Sequence, residues 1–282
     1  IPVILYYLIF CYKPMYGAII AFKDFNPLKG IIASQWVGFR HFADFFGSYY
    51  FGRILTNTLW ISLNSIIWCF PMPIIFALLI NELKNKHFVK TVQTVTYLPH
   101  FISLVVVCGI IKDFTSDTGI ITSFFAVFGI EKAPMLQNPR LFLPIYIVSD
   151  MWQEVGWNSI IYLAAITGVN QELYEAATID GAGRWKQVLN VTLPGVAPTI
   201  ITMLILRIGG ILNVGFEKII LLYNPITYET ADVISSFVYR KGLQEYNWGY
   251  STAVGLFNSV VNVIMLAGSN WLSRKFNDTS LW

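Results

Sequence analysis

The stretch Ile54–Asn81, ILTNTLWISLNSIIWCFPMPIIFALLIN, runs for 28 residues without an Asp, Glu, Lys or Arg. About 20 residues of α-helix cross the hydrocarbon core of a bilayer, and a helix facing water on one side would carry charge there. This one carries none. A second run of the same length, Tyr246–Ser273, and a third of 21 residues, Thr91–Ile111, have the same character. The rest of the chain agrees: 55% of its 282 residues are hydrophobic and only 12% are charged, where a soluble domain holds about 25% charged residues. The fold class is therefore all-α, a polytopic membrane protein.

Working outward from Ile54–Asn81, six spans are expected in a single membrane domain over residues 1–282. They are placed at about 1–12, 57–80, 96–111, 143–168, 198–222 and 251–272. Pro71 and Pro73 should kink the second, and the third should open at Pro99. An even number of spans puts both termini on one side. The chain starts at Ile1 inside an apolar segment, so an N-terminal portion is expected to be missing. Lys84, Lys86, Lys90, Arg184, Lys186, Arg274 and Lys275 fall on the side of the shorter connectors and the tail, and the long connectors hold Lys and Arg at similar density. The distribution of positive charge thus leaves the orientation open. The long connectors 13–56, 112–142 and 223–250 are rich in aromatic and turn residues. They fit either a rim of short interfacial helices or a folded surface that docks a partner.

Several functions are excluded at this level. The net charge of +3 is scattered, with no basic stripe for nucleic acid. Cys11, Cys69 and Cys108 stand singly in apolar runs and His41, His87 and His100 are dispersed, which argues against a disulfide framework or a metal site. No phosphate loop of the form G-x-x-x-x-G-K-[ST] occurs, nor any G-x-S-x-G or H-E-x-x-H motif, so no catalytic residues and no cofactor are expected in the chain itself.

One connector stands apart. Residues 172–194 read ELYEAATIDGAGRWKQVLNVTLP, a charged amphipathic hairpin between the fourth and fifth spans. Asn170 can cap a first short helix and leave Glu172 in its opening turn. Leu173, Ala176, Ala177 and Asp180 share one face. Gly181 and Gly183 provide the tight turn, a second short helix covers about 184–191, and Pro194 should end it. An interfacial loop lying on headgroups would be the plain reading, but Glu172, Glu175 and Asp180 suit an anionic leaflet poorly. The paired alanines allow a close approach of backbone to a protein groove.

Glu175-Ala176-Ala177, then Gly181 after three residues, then Val191-Thr192-Leu193-Pro194 after nine more resembles the EAA motif, EAA-x3-G-x9-I-x-L-P. That motif marks permease subunits of binding-protein-dependent ABC importers. The one departure is Val191 in place of Ile. The stretches PMYGAIIAFKDFNPLKG (Pro14–Gly30), TVTYLPHFIS (Thr94–Ser103), WQEVGWNSIIYLAAI (Trp152–Ile166) and VGFEKIILLYNPITYETADVI (Val214–Ile234) are similar to permeases of oligosaccharide importers, including those for pectin- and alginate-derived uronate oligomers. The resemblance covers essentially the whole chain. It implies a type I ABC importer permease fold in a bacterial cytoplasmic membrane, with a cytoplasmic EAA coupling hairpin and both termini inside. It implies as partners two ABC ATPase subunits that hold Mg-ATP, a second, homologous permease, an extracytoplasmic solute-binding protein and an oligosaccharide substrate in a lipid bilayer. Glu175, Ala176, Ala177, Asp180, Gly181, Val191, Leu193 and Pro194 are the implied ATPase-coupling residues. The alternatives are an importer of a non-sugar solute and an ATP-independent channel or membrane enzyme.

Within the spans, Arg207 lies at helical spacing from Gly210, Asn213 or Val214, and Glu217. The fourth span offers Asp150 and Glu154, and the sixth places Gly255, Asn258, Ser259 and Asn262 along one face. Charges inside a membrane usually face protein, a cavity or a partner. One reading is structural: Arg207 pairs with Glu154 or reaches the cytoplasmic edge, and the asparagines bond between helices. The other makes Glu154, Arg207, Asn213, Asn258 and Asn262 the candidate translocation path, with Arg207 suited to an acidic saccharide.

Overall fold

The computed structural model describes residues 2–277. Helix α1 (Pro2–Phe22) opens the chain, and no residue of its apolar stretch is buried. Only its last turns pack on the C-terminal helix. Ile1, the expected start of the first span, lies outside the described residues. A two-stranded antiparallel hairpin follows, β1 (Lys23–Asp24) with β2 (Gln35–Trp36), in the register Lys23 to Trp36 and Asp24 to Gln35. Then come α2 (Arg40–Phe46), the long α3 (Tyr49–Asn81) and α4 (Lys86–Tyr97). The Asn85 side chain caps α4 by accepting from the backbone N–H groups of His87 and Phe88 at 3.0 and 3.2 Å. After it lie α5 (Leu104–Phe114), α6 (Ile120–Val127), α7 (Pro139–Thr167) and α8 (Gln171–Ile179). The chain continues with α9 (Arg184–Gly209), α10 (Phe216–Leu222), α11 (Ile234–Tyr239) and α12 (Trp248–Asn277).

Three prolines sit in helices that run on through them, because a π turn absorbs each. The π turns Tyr7–Tyr12, Ser65–Cys69 and Val188–Thr192 each stop two residues before a proline, at Pro14, Pro71 and Pro194. In each, the residue just before the proline donates to a carbonyl five back: Lys13 to Leu8, Phe70 to Ser65 and Leu193 to Val188. Proline has no N–H to give and its ring collides with the carbonyl four residues earlier. Widening the turn by one residue relieves both problems. The expected stop at Pro194 is thus corrected: the second arm of the hairpin and the fifth span form one helix, α9.

Two other expected spans are also corrected. The third, placed at 96–111, is not one straight helix. The turn Leu98–Phe101 carries Pro99, and Lys86–Phe101 meets Leu104–Phe114 at 99°. The fifth, placed at 198–222, starts earlier and ends at Gly209, and after a break at 210–215 the chain resumes as α10. Among the described residues four helices are long and apolar enough to cross a membrane, α1, α3, α9 and α12, and the bent pair would make a fifth. Helix α7 has 29 residues, but Arg140, Asp150 and Glu154 interrupt its apolar character.

Helix α7 forms the centre of the packing. Its Phe142, Tyr146 and Ile147 bury against Ile61 of α3, Val107 and Ile111 of α5, and Ile219 and Leu222 of α10. Lower down, Tyr162 and Ile166 meet Ala77 of α3 and Val196 of α9. At Gly156 the helix touches the end of α4 so closely that a Cβ would sit 2.3 Å from the carbonyl oxygen of Thr96. A separate cluster of Phe45, Ile54, Leu212, Phe237 and Val254 joins α2, α3, α11 and α12.

A buried ionic cluster ties the last long connector to α3. Asp232, fully buried, accepts from Arg240 at 2.6 and 3.1 Å, from Arg53 at 3.4 Å and from Ser236 at 2.8 Å. Burial by itself would lower the Arg240 pKa, but hydrogen bonds and charge from Asp232 outweigh it and hold the guanidinium above its ordinary value. Asn57 donates to the backbone carbonyls of Glu229 and Asp232 in the same place.

Candidate functional site

A cavity of about 930 Å³ opens between α3, the bend after α4, α7, α9 and the break at 210–215. Irregular backbone at membrane depth is tolerated where it lines such a space or is buried in protein, and both broken elements lie on its wall. Ser62 and Ser65 come from α3, His100 from the bend, and Asp150, Gln153, Glu154 and Asn158 from α7. Arg207 comes from α9, Asn213 from the break, and Glu217 and Lys218 from α10. The wall thus combines hydroxyl, amide, carboxylate and cationic groups, able to donate to and accept from a polyhydroxylated solute.

The charges are arranged in separate pairs. Lys218, nearly buried, reaches Asp150 at 3.3 Å and lies 5.2 Å from the centre of the Tyr146 ring. Glu154 contacts His100 Nδ1 at 3.0 Å, and the His100 ring stacks on Trp157 at 4.4 Å, nearly parallel. Arg207 does not pair with Glu154, which corrects that structural reading. It donates to Ser65 Oγ and remains exposed on the cavity wall. A guanidinium presents its donors as a planar fork that matches a carboxylate.

Of the five path residues read from sequence, Glu154, Arg207 and Asn213 line the cavity. Asn258 and Asn262 sit behind it and act on the break. Both donate to Asn213 Oδ1, at 2.9 and 3.1 Å, and Asn262 Oδ1 accepts from the Leu212 N–H at 3.1 Å. Ser62 donates to the Ile211 carbonyl in the same loop. The unwound backbone is thereby supplied with partners it lost when the helix stopped.

The hairpin stands off the bundle. Asn170 Oδ1 accepts from the Glu172 N–H at 3.0 Å and starts α8. Gly181 has φ +76°, a left-handed conformation that closes the turn. Gly183 has φ −68° and precedes α9, so only one of the two glycines is needed for its freedom at φ > 0. Glu172, Glu175, Ala176, Asp180 and Gly181 are exposed, and so are Leu173, Ile179 (86% exposed) and Trp185 (74%). Val191, Leu193 and Pro194 lie on α9 beyond the turn, Val191 partly buried against Val169 and Val196.

Residues 45–278 match the model for binding-protein-dependent transport system inner membrane components. The chain belongs to that family. It is similar to Protein LplB of Bacillus subtilis, 43% identical over all of this chain and 89% of that protein. It is equally similar to YteP of the same organism, a polygalacturonan/rhamnogalacturonan transport system permease, at 43% identity over all of this chain and 88% of YteP. Among solved structures it matches a bacterial ABC transporter involved in import of the acidic polysaccharide alginate. The TM-score is 0.91 and the identity 47%, with 98% of this chain and 94% of that one covered. The alginate transporter in complex with an alginate pentasaccharide-bound periplasmic protein matches with the same score and identity.

The permease family accounts for the helical fold and for the lack of any nucleotide-binding motif. The chain is an inner-membrane permease subunit of an ABC importer that works with a solute-binding protein, and separate subunits hydrolyse ATP. Sequence reading missed Lys218, which lies inside the expected fifth span, 198–222. It also missed the Asp232 cluster, whose members are separated by up to 187 residues between Arg53 and Arg240. A lysine beside Glu217 within an apolar span was the available signal for the first. The second gave none.

Proposed function

We propose that this permease carries an oligosaccharide into the cell as one of two homologous subunits, six spans in each, with both termini cytoplasmic. The solute-binding protein delivers the sugar from outside, and an ATPase dimer inside engages the hairpin 170–194. The observation that carries this reading is the pairing of a polar, 930 Å³ cavity with an exposed apolar and acidic hairpin at the start of the same helix, α9. Arg207, held by Ser65 and open to the cavity, favours acidic sugars among the possible oligosaccharides. The similarity to a polygalacturonan/rhamnogalacturonan permease and to an alginate importer supports the same choice.

In this reading Glu175, Ala176 and Asp180 face the ATPase groove, Gly181 sets the turn, and Val191, Leu193 and Pro194 join the hairpin to the span. Closure of the ATPase dimer moves the hairpin, and α9 carries that motion to the cavity wall as a switch between two packed states. The test is to tag the chain in its host, identify what copurifies, and reconstitute that complex in liposomes. Recovery of an ATPase and a second permease is expected, with MgATP-dependent uptake of uronate oligosaccharides from their binding protein. Recovery of the chain alone, from a preparation in which other transport complexes survive, refutes the assembly. Uptake of neutral oligosaccharides in preference to uronates refutes the choice of substrate.

A further inference from the structure

Helix α8 is held to the bundle at very few points. Of its nine residues only Tyr174 and Ala177 are even partly buried, and beyond the covalent chain its main neighbour is the π turn Val188–Thr192. Tyr174 Oη lies 2.9 Å from Thr192 Oγ1. Thr192 is buried, and its hydroxyl points to the Gln187 carbonyl at 3.5 Å, which makes Tyr174 the donor in the shorter bond. The Gln187 side chain returns the connection. Its Nε2 donates to Thr178 Oγ1 at 3.0 Å and to the Ala182 carbonyl at 3.1 Å. Thr178 in turn donates to the Tyr174 carbonyl at 2.8 Å. The result is a closed ring of hydrogen bonds, Tyr174 to Thr192 to Gln187 to Thr178 and back to Tyr174. One half of it lies on α8 and the other half on Gln187 and Thr192, the residue before the π turn and the last residue within it.

We infer that this ring is the element through which displacement of α8 is passed into α9 and so to the cavity wall, and that Tyr174 and Thr192 are positioning residues for transport. The inference rests on the coupling role proposed above for the hairpin. A π turn is a weak place in a helix, and a load entering at α8 would bend it there unless something bridges the turn. The Tyr174–Thr192 bond is that bridge: it starts on α8 and ends on the last residue of the turn. The ring leaves the outward face of α8, with Glu175 and Ile179, free for a partner.

The experiment uses the complex of this chain with its copurifying subunits, reconstituted in liposomes. It measures saccharide imported per ATP hydrolysed, alongside complex yield and melting temperature. Tyr174→Phe removes only the hydroxyl, Thr192→Val removes its acceptor, and Thr192→Ser restores it. The expected result is a fall in the transport-to-hydrolysis ratio of about fivefold for Tyr174→Phe and Thr192→Val, the effect of one hydrogen bond. The double variant should be no worse than either single one, with yield unchanged and the ratio near normal in Thr192→Ser. Lower yield and melting temperature with an unchanged ratio would assign the ring a structural role and overturn the inference. Glu175→Arg separates the two levels. If it abolishes assembly or uptake while Tyr174→Phe keeps the full ratio, the ring is wrong and the hairpin reading stands. If Glu175→Arg leaves both assembly and uptake intact, the hairpin reading falls and the ring falls with it.

Discussion

Gly156→Ala should loosen the whole bundle, and the structure gives the size of the effect. The added Cβ would lie 2.3 Å from the Thr96 carbonyl oxygen, 2.5 Å from its carbon and 2.9 Å from its Cβ. A carbon and a carbonyl oxygen approach no closer than about 3.3 Å in ordinary contacts, so α4 and α7 must part by roughly 1 Å. The obstacle is backbone, and no rotamer change relieves it. Thr96 stands one residue before the end of α4, ahead of the turn that holds buried Pro99, so the strain passes to the 99° bend. His100 and Glu154, bonded across the same crossing, would be drawn apart. Overpacking of this kind costs about 1–3 kcal/mol, and a rigid obstacle belongs at the top of that range. Helix propensity works the other way, since alanine is better than glycine inside a helix by about 0.5–1 kcal/mol. The net expectation is a loss of about 2 kcal/mol. Gly52 in α3 is the control, with nothing within 4 Å of an added Cβ; there alanine should gain the propensity term alone. The two variants should differ by about 3 kcal/mol, or roughly 6–12 °C in melting temperature at about 2–4 °C per kcal/mol. Thermal unfolding of both proteins in the same detergent measures it. A Gly156→Ala variant that melts at or above the wild-type temperature would refute the reasoning.

Three further outcomes are expected. Asp232→Ala removes the shared counter-charge of Arg53 and Arg240 and should cost about 3–5 kcal/mol, visible as a melting temperature lower by about 10 °C; an unchanged melting temperature would show that the cluster contributes nothing. Gly181→Val places a branched residue at φ +76°, a strain of about 1–2 kcal/mol confined to the hairpin. It should reduce recovery of the copurifying ATPase while leaving the melting temperature of the chain unaltered, and full recovery would count against the hairpin as a docking element. Arg207→Gln keeps a donor toward Ser65 but removes the charge. Half-maximal uptake of a uronate oligosaccharide should then need about tenfold more substrate, the worth of one charge-assisted hydrogen bond, and the same shift for a neutral oligosaccharide would refute the role given to Arg207.

Much of the architecture is readable before any coordinates. The uncharged runs at 54–81 and 246–273 announce membrane helices because the cost of placing a segment in lipid is a sum over its own residues. The hairpin is equally local: Asn170 as a cap, Gly181 at positive φ and the charged face of α8 are features that a dozen neighbouring residues decide. The candidate site is less legible. Glu154, Arg207 and Asn213 are visible as polar groups in apolar company, but nothing in their spacing says that Arg207 would meet Ser65 and Glu154 would meet His100.

The solvent of each segment and the turn of the hairpin are local properties, since both follow from short-range sums. Packing decided how two of the long helices run. Pro194 reads as a terminator, yet a π turn carries α9 through it. Gly209 and Gly210 permit a break after α9, but the unwound stretch to residue 215 holds because Asn262 and Ser62 supply partners to the backbone of Leu212 and Ile211. A break in a membrane helix is stable only if other helices satisfy the groups it exposes. Those helices lie 50 residues away on one side and 149 on the other, so the glycines show where the chain can break and not what holds the break.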